Sequence, residues 1–226
     1  MRLTGRIGAM VLVVAIVLAW HASYFLVNKQ ASSVFLFQEG MWKYDVLDIP
    51  LLLPVCWWIG RKYDEARFFS ERDPLTSVYN RRFIFDVFPS VLEAANARNE
   101  EVRVFLLDVD DFKEINDHHG HEVGDAVIRE VAFALVRHTR KTDLVSRWGG
   151  DEFLVIASRN RREVRQTGWL DVDLVLAEAT REVGLSLSIS VGVATYPMNG
   201  VFPDALIKAA DVNMYERKAI KKALSK

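Results

Sequence analysis

A single cysteine, Cys56, stands among the 226 residues. It lies inside an apolar run, and one thiol closes no internal disulfide, so no disulfide framework holds this chain. Cys56 lies far from the histidines, so no Cys/His cluster for zinc is present. A surplus of charge is lacking too: 29 Lys and Arg against 30 Asp and Glu leave a formal net charge of -1. That balance gives no global electrostatic case for a nucleic-acid partner. No low-complexity tract and no internal repeat are present. The most informative absence is local, because no charged residue occurs from Ile7 to Val27.

That uncharged run spans about 30 Å as a helix, the thickness of a bilayer core, and Arg2 and Arg6 precede it. A cleaved signal peptide shares the basic start and apolar middle, but the run exceeds a signal core and no Ala-x-Ala site follows. A second apolar stretch, 46–60, contains Pro50 and Pro54, which membrane helices tolerate. Trp42, Tyr44, Trp57 and Trp58 are placed as interface markers, and Arg61-Lys62 follows directly. The expectation for residues 1–60 is therefore an α-helical transmembrane hairpin with spans at about 7–27 and 46–60. Both termini then face the cytoplasm, which describes a multi-pass protein of the inner (cytoplasmic) membrane with lipid as a partner. A single span followed by a buried or interfacial segment is the competing reading. The outer loop, roughly Asn28 to Asp45, is too short for a sensory domain. Residues 61–72 turn abruptly charged and read as a helical stalk that ends before Pro74.

Beyond the stalk the pattern mixes helix and strand. Arg81 to Asn96 places Phe83, Val87, Val91 and Leu92 on one helical face, and Val102 to Asp110 is a buried strand ending in acids. His121 to Thr139, Val172 to Val183 and Asp204 to Lys222 have helical spacing, while Leu185 to Ala194 alternates as a strand does. Two apolar runs, Leu144-Val145-Ser146 and Leu154 to Ala157, flank Arg147-Trp148-Gly149-Gly150-Asp151-Glu152-Phe153. They read as a β-hairpin whose glycines take the positive φ angles of a tight primed turn. The class is α+β, a sheet with helices packed on it.

The chemistry concentrates at that hairpin. A turn that needs only solubility takes Asn, Ser or Lys equally well, so side-by-side acids at Asp151 and Glu152 point to a cation or a proton transfer. Adjacent strand residues face opposite sides, and both acids serve one site only where the pleat is irregular. Asp108, Asp110 and Asp111 cluster at the end of the first strand. Magnesium is held in this manner, by one or two carboxylates together with waters and phosphates. Lys113 suits phosphate oxygens, and Asn116 with Asp125 can read the guanine edge. Each piece alone carries little, since acidic loops are mostly solvated turns.

The pieces also occur in a known order. Asp73-Pro74-Leu75-Thr76 is followed by Asn80-Arg81-Arg82. Leu107-Asp108-Val109-Asp110-Asp111-Phe112-Lys113 leads to Asn116-Asp117, Gly120-His121 and Gly124-Asp125, and Gly149-Gly150-Asp151-Glu152-Phe153 comes last. Residues 73–226 thereby resemble the GGDEF family of diguanylate cyclases. The resemblance implies a ferredoxin-like, nucleotidyl-cyclase palm fold in which each domain binds one GTP and two domains face each other in a homodimer. The 3′-hydroxyl of each nucleotide attacks the α-phosphate of the other, giving cyclic di-GMP and two pyrophosphates. It implies Mg2+, for which Mn2+ can substitute, held by Asp108, the Val109 carbonyl, Asp151 and Glu152. The catalytic residues would be Asp151, Glu152 and Lys113, with Asp151 either the proton acceptor or purely a ligand. Asn116, His121 and Asp125 would bind the nucleoside, and Lys218 and Lys222 the phosphates.

Arg140-Lys141-Thr142-Asp143 matches the family's Arg-x-x-Asp motif, where the product returns as an inhibitor. Departures also stand out. The usual Gly-Arg-Asn of the last helix is absent and Lys222 takes the arginine's place, keeping charge without a bidentate fork. Asn213 replaces a small residue. The short segment between Ala157 and Leu185 carries Arg159, Arg161, Arg162 and Arg165, either a second contact to the product site or a solvated loop. The alternative function is a catalytically silent cyclic di-GMP receptor, which has no chemical need of Asp151 and Glu152. A nucleotidyl cyclase with another product is a third reading.

Overall fold

The computed structural model describes residues 4–27, 42–160 and 169–224. The chain divides into two compact units, Met1–Ser70 and Glu71–Lys226.

In the first unit, α1 (Thr4–Val27) meets α2 (Trp42–Glu71) through a buried carboxylate. Asp64 accepts the N–H of Gly5 at 2.7 Å and that of Arg6 at 3.3 Å. These are donors of the first turn of α1, which have no partner inside their own helix. An acid there also complements the positive end of the helix dipole. Two glycines permit the approach: a Cβ on Gly60 would lie 2.6 Å from the Arg6 Cα, and one on Gly5 would lie 2.8 Å from the Gly60 carbonyl oxygen. Among the described residues no helix is long and apolar enough to cross a membrane. The expected spans at 7–27 and 46–60 are therefore not supported by the fold. Helix α2 contains Pro50 and Pro54 and continues from the apolar stretch through the charged stalk, so its apolar part does not form a separate rod. Most of the expected outer loop lies outside the described residues.

The second unit is built on a five-stranded sheet in the order β1 (Tyr79–Asn80), β3 (Leu144–Arg147), β4 (Glu152–Arg159), β2 (Glu101–Val109), β5 (Ile189–Tyr196). Only the β1–β3 pairing is parallel. Strand β2 lies between β4 and β5 with both faces buried. Val102, Val104 and Leu106 pack on Ile84, Phe88 and Leu92 of α3 (Arg81–Arg98) and on Leu206 and Ala210 of α7 (Pro203–Leu224). Phe105, Leu107 and Val109 pack on Val127, Ile128, Val131 and Leu135 of α5 (His121–Arg137) and on Val175 and Ala179 of α6 (Val172–Val183). This is the α+β palm architecture that the sequence implies.

Three local expectations change. An additional helix, α4 (Phe112–His119), follows β2, and it has no buried residue. Strand β5 begins at Ile189, because Gly184 ends α6 in the left-handed conformation and the next residues run outside the ladder. The hairpin is also wider than a primed turn. Arg147 pairs with Phe153, and the N–H groups of Trp148 and Gly149 both donate to the Glu152 carbonyl, at 2.8 and 3.3 Å. Neither Gly149 nor Gly150 is among the positive-φ residues. A Cβ on Gly149 would lie 2.5 Å from Glu152 Oε2, the movable end of that side chain, so the carboxylate would have to shift.

Candidate active site

The β2–β4 register sets Asp108 directly opposite Glu152, and the Asp151 carbonyl accepts the Val109 N–H at 3.1 Å. Three acids thus meet where two central strands end. Burial raises the Glu152 carboxyl above its ordinary value, and the charges of Asp108, Asp151 and Asp211 push it further, against Arg81. Lys218 of α7 answers part of this charge, with Nζ 2.5 Å from Asp108 Oδ1 and 3.8 Å from Asp110 Oδ1. Burial pulls the Lys218 ammonium down, but the bond to Asp108 and the charges of Asp108, Asp110 and Asp151 outweigh it and raise its pKa.

Among the described residues no group of three or more His, Cys, Asp and Glu converges closely enough to hold a metal ion. The expected quartet of Asp108, Val109, Asp151 and Glu152 is brought to one place but not into a coordination shell. Asp108 is instead paired with Lys218. The donors nonetheless fit Mg2+ in kind, being oxygens with a surplus of negative charge that raises Glu152.

The nucleoside candidates gather at the corner between α4 and α5. Asp111, a non-glycine residue at φ 54°, turns the chain out of β2 into α4. Lys113 on that helix is exposed and Asn116 half-buried, while His121 and Asp125 are exposed on the first turns of α5. Two glycines set the corner. Gly120 has φ 85° and donates its N–H to the Asn116 carbonyl at 2.8 Å. Gly124 lies so close beneath Asn116 that a Cβ would sit 1.9 Å from its Oδ1.

At the end of α7 the side chain of Lys222 lies outside the described residues. Its neighbour Lys221 has Nζ 2.7 Å from Asp110 Oδ2 and also meets the Ser188 hydroxyl. Asp110 is buried and accepts the hydroxyls of Ser188 at 2.5 Å and Ser190 at 2.6 Å. Burial works to raise its carboxyl, but Lys221 and the two serines hold it below its ordinary value. Asp110, which the sequence groups with Asp108, is thus an anchor for α7. Asn213 is similarly structural, donating to the Val193 carbonyl of β5 at 2.6 Å.

Arg147 has a role that the sequence reading did not assign. Its guanidinium donates to the Gly150 carbonyl at 3.1 and 2.7 Å and to Asp73 at 3.2 and 3.3 Å. Asp73 Oδ1 in turn accepts the N–H of Thr76 at 2.9 Å and its hydroxyl at 2.7 Å. The Asp73-x-x-Thr76 spacing is the available signal, since Asp in that pattern closes a turn on its own backbone. Burial works to raise the Asp73 carboxyl, but Thr76 and Arg147 outweigh it and hold it below the ordinary value. A carboxyl lowered in the folded state stabilises fully above its unfolded pKa of about 3.9 and loses that contribution as pH falls through the folded value. Asp73→Asn should therefore melt below wild type at neutral pH, with the gap closing below about pH 4. Thermal melts across that range check this, and a gap independent of pH would contradict it.

The turn between α5 and β3 holds Arg140 and Asp143. Asp143 accepts the Arg140 N–H at 2.9 Å, and both of its oxygens also accept from Arg159, at 2.5 Å each. The turn has the expected register, but its carboxylate is committed to a residue of the same chain. Of the arginines near the end of β4, Arg159 is buried on Asp143, and Arg161, Arg162 and Arg165 lie outside the described residues.

A mostly antiparallel sheet with helices on both faces, and acids at the ends of its two central strands, defines a nucleotidyl-cyclase palm domain. Residues 70–223 match the family described as diguanylate cyclase, GGDEF domain, and the chain belongs to the GGDEF family. The response regulator PleD of Caulobacter vibrioides is 34% identical over 168 residues, covering 72% of this chain and 37% of PleD. The diguanylate cyclase TpbB of Pseudomonas aeruginosa is 34% identical over 165 residues, covering 70% of this chain and 38% of TpbB. The chain thus matches well under half the length of these curated relatives. The solved GGDEF domain of TpbB superposes with a TM-score of 0.58 at 35% identity, covering 66% of this chain and 88% of that one. The GGDEF domain of DgcB from Caulobacter crescentus, solved in complex with c-di-GMP, gives 0.56 at 27%, covering 66% and 90%.

Proposed function

We propose that this chain is a diguanylate cyclase that condenses two GTP into cyclic di-GMP and two pyrophosphates across a homodimer. The observation that carries the reading is the register of Asp108 against Glu152, with Asp151 beside them and Lys218 on Asp108. Mg2+, or Mn2+ in its place, would be held by Asp108, the Val109 carbonyl, Asp151 and Glu152, and would supply Lewis-acid polarisation of the phosphate and acidification of the attacking hydroxyl. Asp151 is the candidate to take the hydroxyl proton. Lys113 and Lys218 offset charge on the phosphates, with Lys222 continuing the basic end of α7. Asn116 and Asp125 read the guanine edge, and His121 adds a contact to the nucleoside. One domain offers one such site and the reaction needs two nucleotides, hence the homodimer. Feedback by cyclic di-GMP at Arg140 and Asp143 belongs to this reading in a state where Asp143 is open to ligand.

The first unit serves in this reading as an anchor in the cytoplasmic membrane, with the cyclase domain in the cytoplasm. Its support is the uncharged run 7–27 and the exposed apolar side chains of Val11, Leu12, Leu18, Trp20, Leu51 and Trp58, which lipid would cover. Retention in carbonate-washed membranes is the expected result, and release into the wash would remove the anchor.

The nucleotide reading is tested by substrate choice. Full-length protein given GTP or ATP with Mg2+ should form a cyclic dinucleotide from GTP, and Asp125→Ala should erode that preference by about tenfold, the worth of one hydrogen bond. Equal use of ATP, unchanged in Asp125→Ala, would point to a nucleotidyl cyclase of another specificity.

A further inference from the structure

The carboxylate of Asp143 is 1% exposed and the side chain facing it, Arg159, is 3% exposed. Each oxygen of Asp143 takes one terminal N–H of the guanidinium, at 2.5 Å. Guanine would offer the same carboxylate a similar edge, the N1–H and the exocyclic amine pointing the same way. Arg159 therefore satisfies Asp143 with the donor pair that a guanine would use, and adds a positive charge that guanine lacks. Accepting from the Arg140 N–H as well, the carboxylate has both oxygens engaged and almost no surface. Resting on the cyclase-family reading of this turn, we infer that Arg159 closes the Arg140-x-x-Asp143 site against cyclic di-GMP, so that product binds there only in the minor state in which Arg159 has left.

The closure is built into the sheet. Arg159 is the last residue of β4 and pairs with Glu101 of β2, which fixes where its side chain starts. The ring of Trp169 lies 5.8 Å from the Arg159 guanidinium and 4.5 Å from that of Arg103. Such stacking is favourable for a guanidinium and stronger where water is excluded. Opening the site strands a buried charge on each side, and breaking one partner of such a pair is strongly unfavourable. A ligand that needs the open state binds more weakly by the fraction of molecules that occupy it. The Nε of Arg159 is buried without a partner among the described residues. The guanidinium is thus held mainly by the bidentate bond to Asp143 and by the Ser158 carbonyl, 2.8 Å away.

The test is equilibrium binding of cyclic di-GMP to the full chain, read without turnover. Arg159→Met, which removes the internal donor pair, should bind at least ~10-fold more tightly than wild type, and the gain should vanish in Arg159→Met/Arg140→Ala. Because an unpaired Asp143 can cost the fold, Arg159→Lys is measured beside it. One ammonium keeps the charge but not the fork, and an intermediate gain is expected. Two results would overturn the inference: Arg159 variants that fold and bind no better than wild type, or wild type that binds as tightly as the family's open sites would and loses that binding on Asp143→Asn. Failure of the protein to make cyclic di-GMP from GTP would remove the cyclase reading and leave these binding results standing.

Discussion

Asp108→Asn should lower cyclic di-GMP formation at least ~10²-fold, the cost of removing one well-placed charge from a reacting phosphate's surroundings. The substitution keeps the shape of the side chain and changes three things at once. The acid that faces Glu152 across the sheet becomes neutral. Lys218 loses the carboxylate 2.5 Å away that now holds it. The first oxygen donor for a divalent cation becomes a weak amide. Glu152 should ionise more readily as well, since the charge of Asp108 follows burial among the causes that raise it. The pair with Lys218 is partly exposed, so the loss of stability should stay within about 1 kcal/mol. Initial rates and thermal melts together check this. A large loss of rate with little change in melting is the expected pattern. An unchanged rate would remove Asp108 from the reacting centre.

Gly192→Ala should destabilise the second unit by about 3 kcal/mol, at the upper end of what overpacking a core costs. Gly192 lies in β5 where α7 crosses it. A Cβ there would come within 1.9 Å of the Ala210 carbonyl oxygen and 2.6 Å of the Met214 nitrogen. These are helix backbone atoms, which cannot swing aside as a side chain can, so relief requires α7 itself to move. For a domain of this size the expected drop in melting temperature is roughly 6–12 °C. The same helix brings Lys218 to Asp108 and Lys221 to Asp110, so activity should fall even below the melt. A Gly192→Ala variant with wild-type melting and wild-type rate would mean that α7 does not pack on β5 in this way.

Much of the fold was legible because its helices and central strands announce themselves locally. Val172–Val183 was bounded correctly, with the Asp171 side chain capping its start and Gly184 its end. The buried strand expected over Val102 to Asp110, and found as Glu101–Val109, likewise follows from the apolar run Val104 to Leu107. Helix α4 was not legible, because its eight residues hold only two apolar side chains, Phe112 and Ile115, too few for a run of helical spacing. The two residues of β1 are too few for any pattern.

Within the site, the residue types and their meeting at one strand end could be read, but their partners could not. Asp73 and Arg147 lie 74 residues apart, and Asp110 and Lys221 are 111 apart. No spacing rule connects them. Gly149 departs from expectation: glycine suggested a positive φ, whereas its φ is not positive and a Cβ there would displace only the end of the Glu152 side chain. Arg159 was visible only as one of several arginines, and only the fold turns it inward onto Asp143.

The most direct test gives full-length protein in lipid nanodiscs GTP and Mg2+, and quantifies cyclic di-GMP and pyrophosphate together. The expected result is cyclic di-GMP with two pyrophosphates for each molecule formed, a rate that falls on dilution as dimers separate, and neither product from Asp151→Ala. GTP bound without either product, or pyrophosphate released at the same rate by Asp151→Ala, would contradict it.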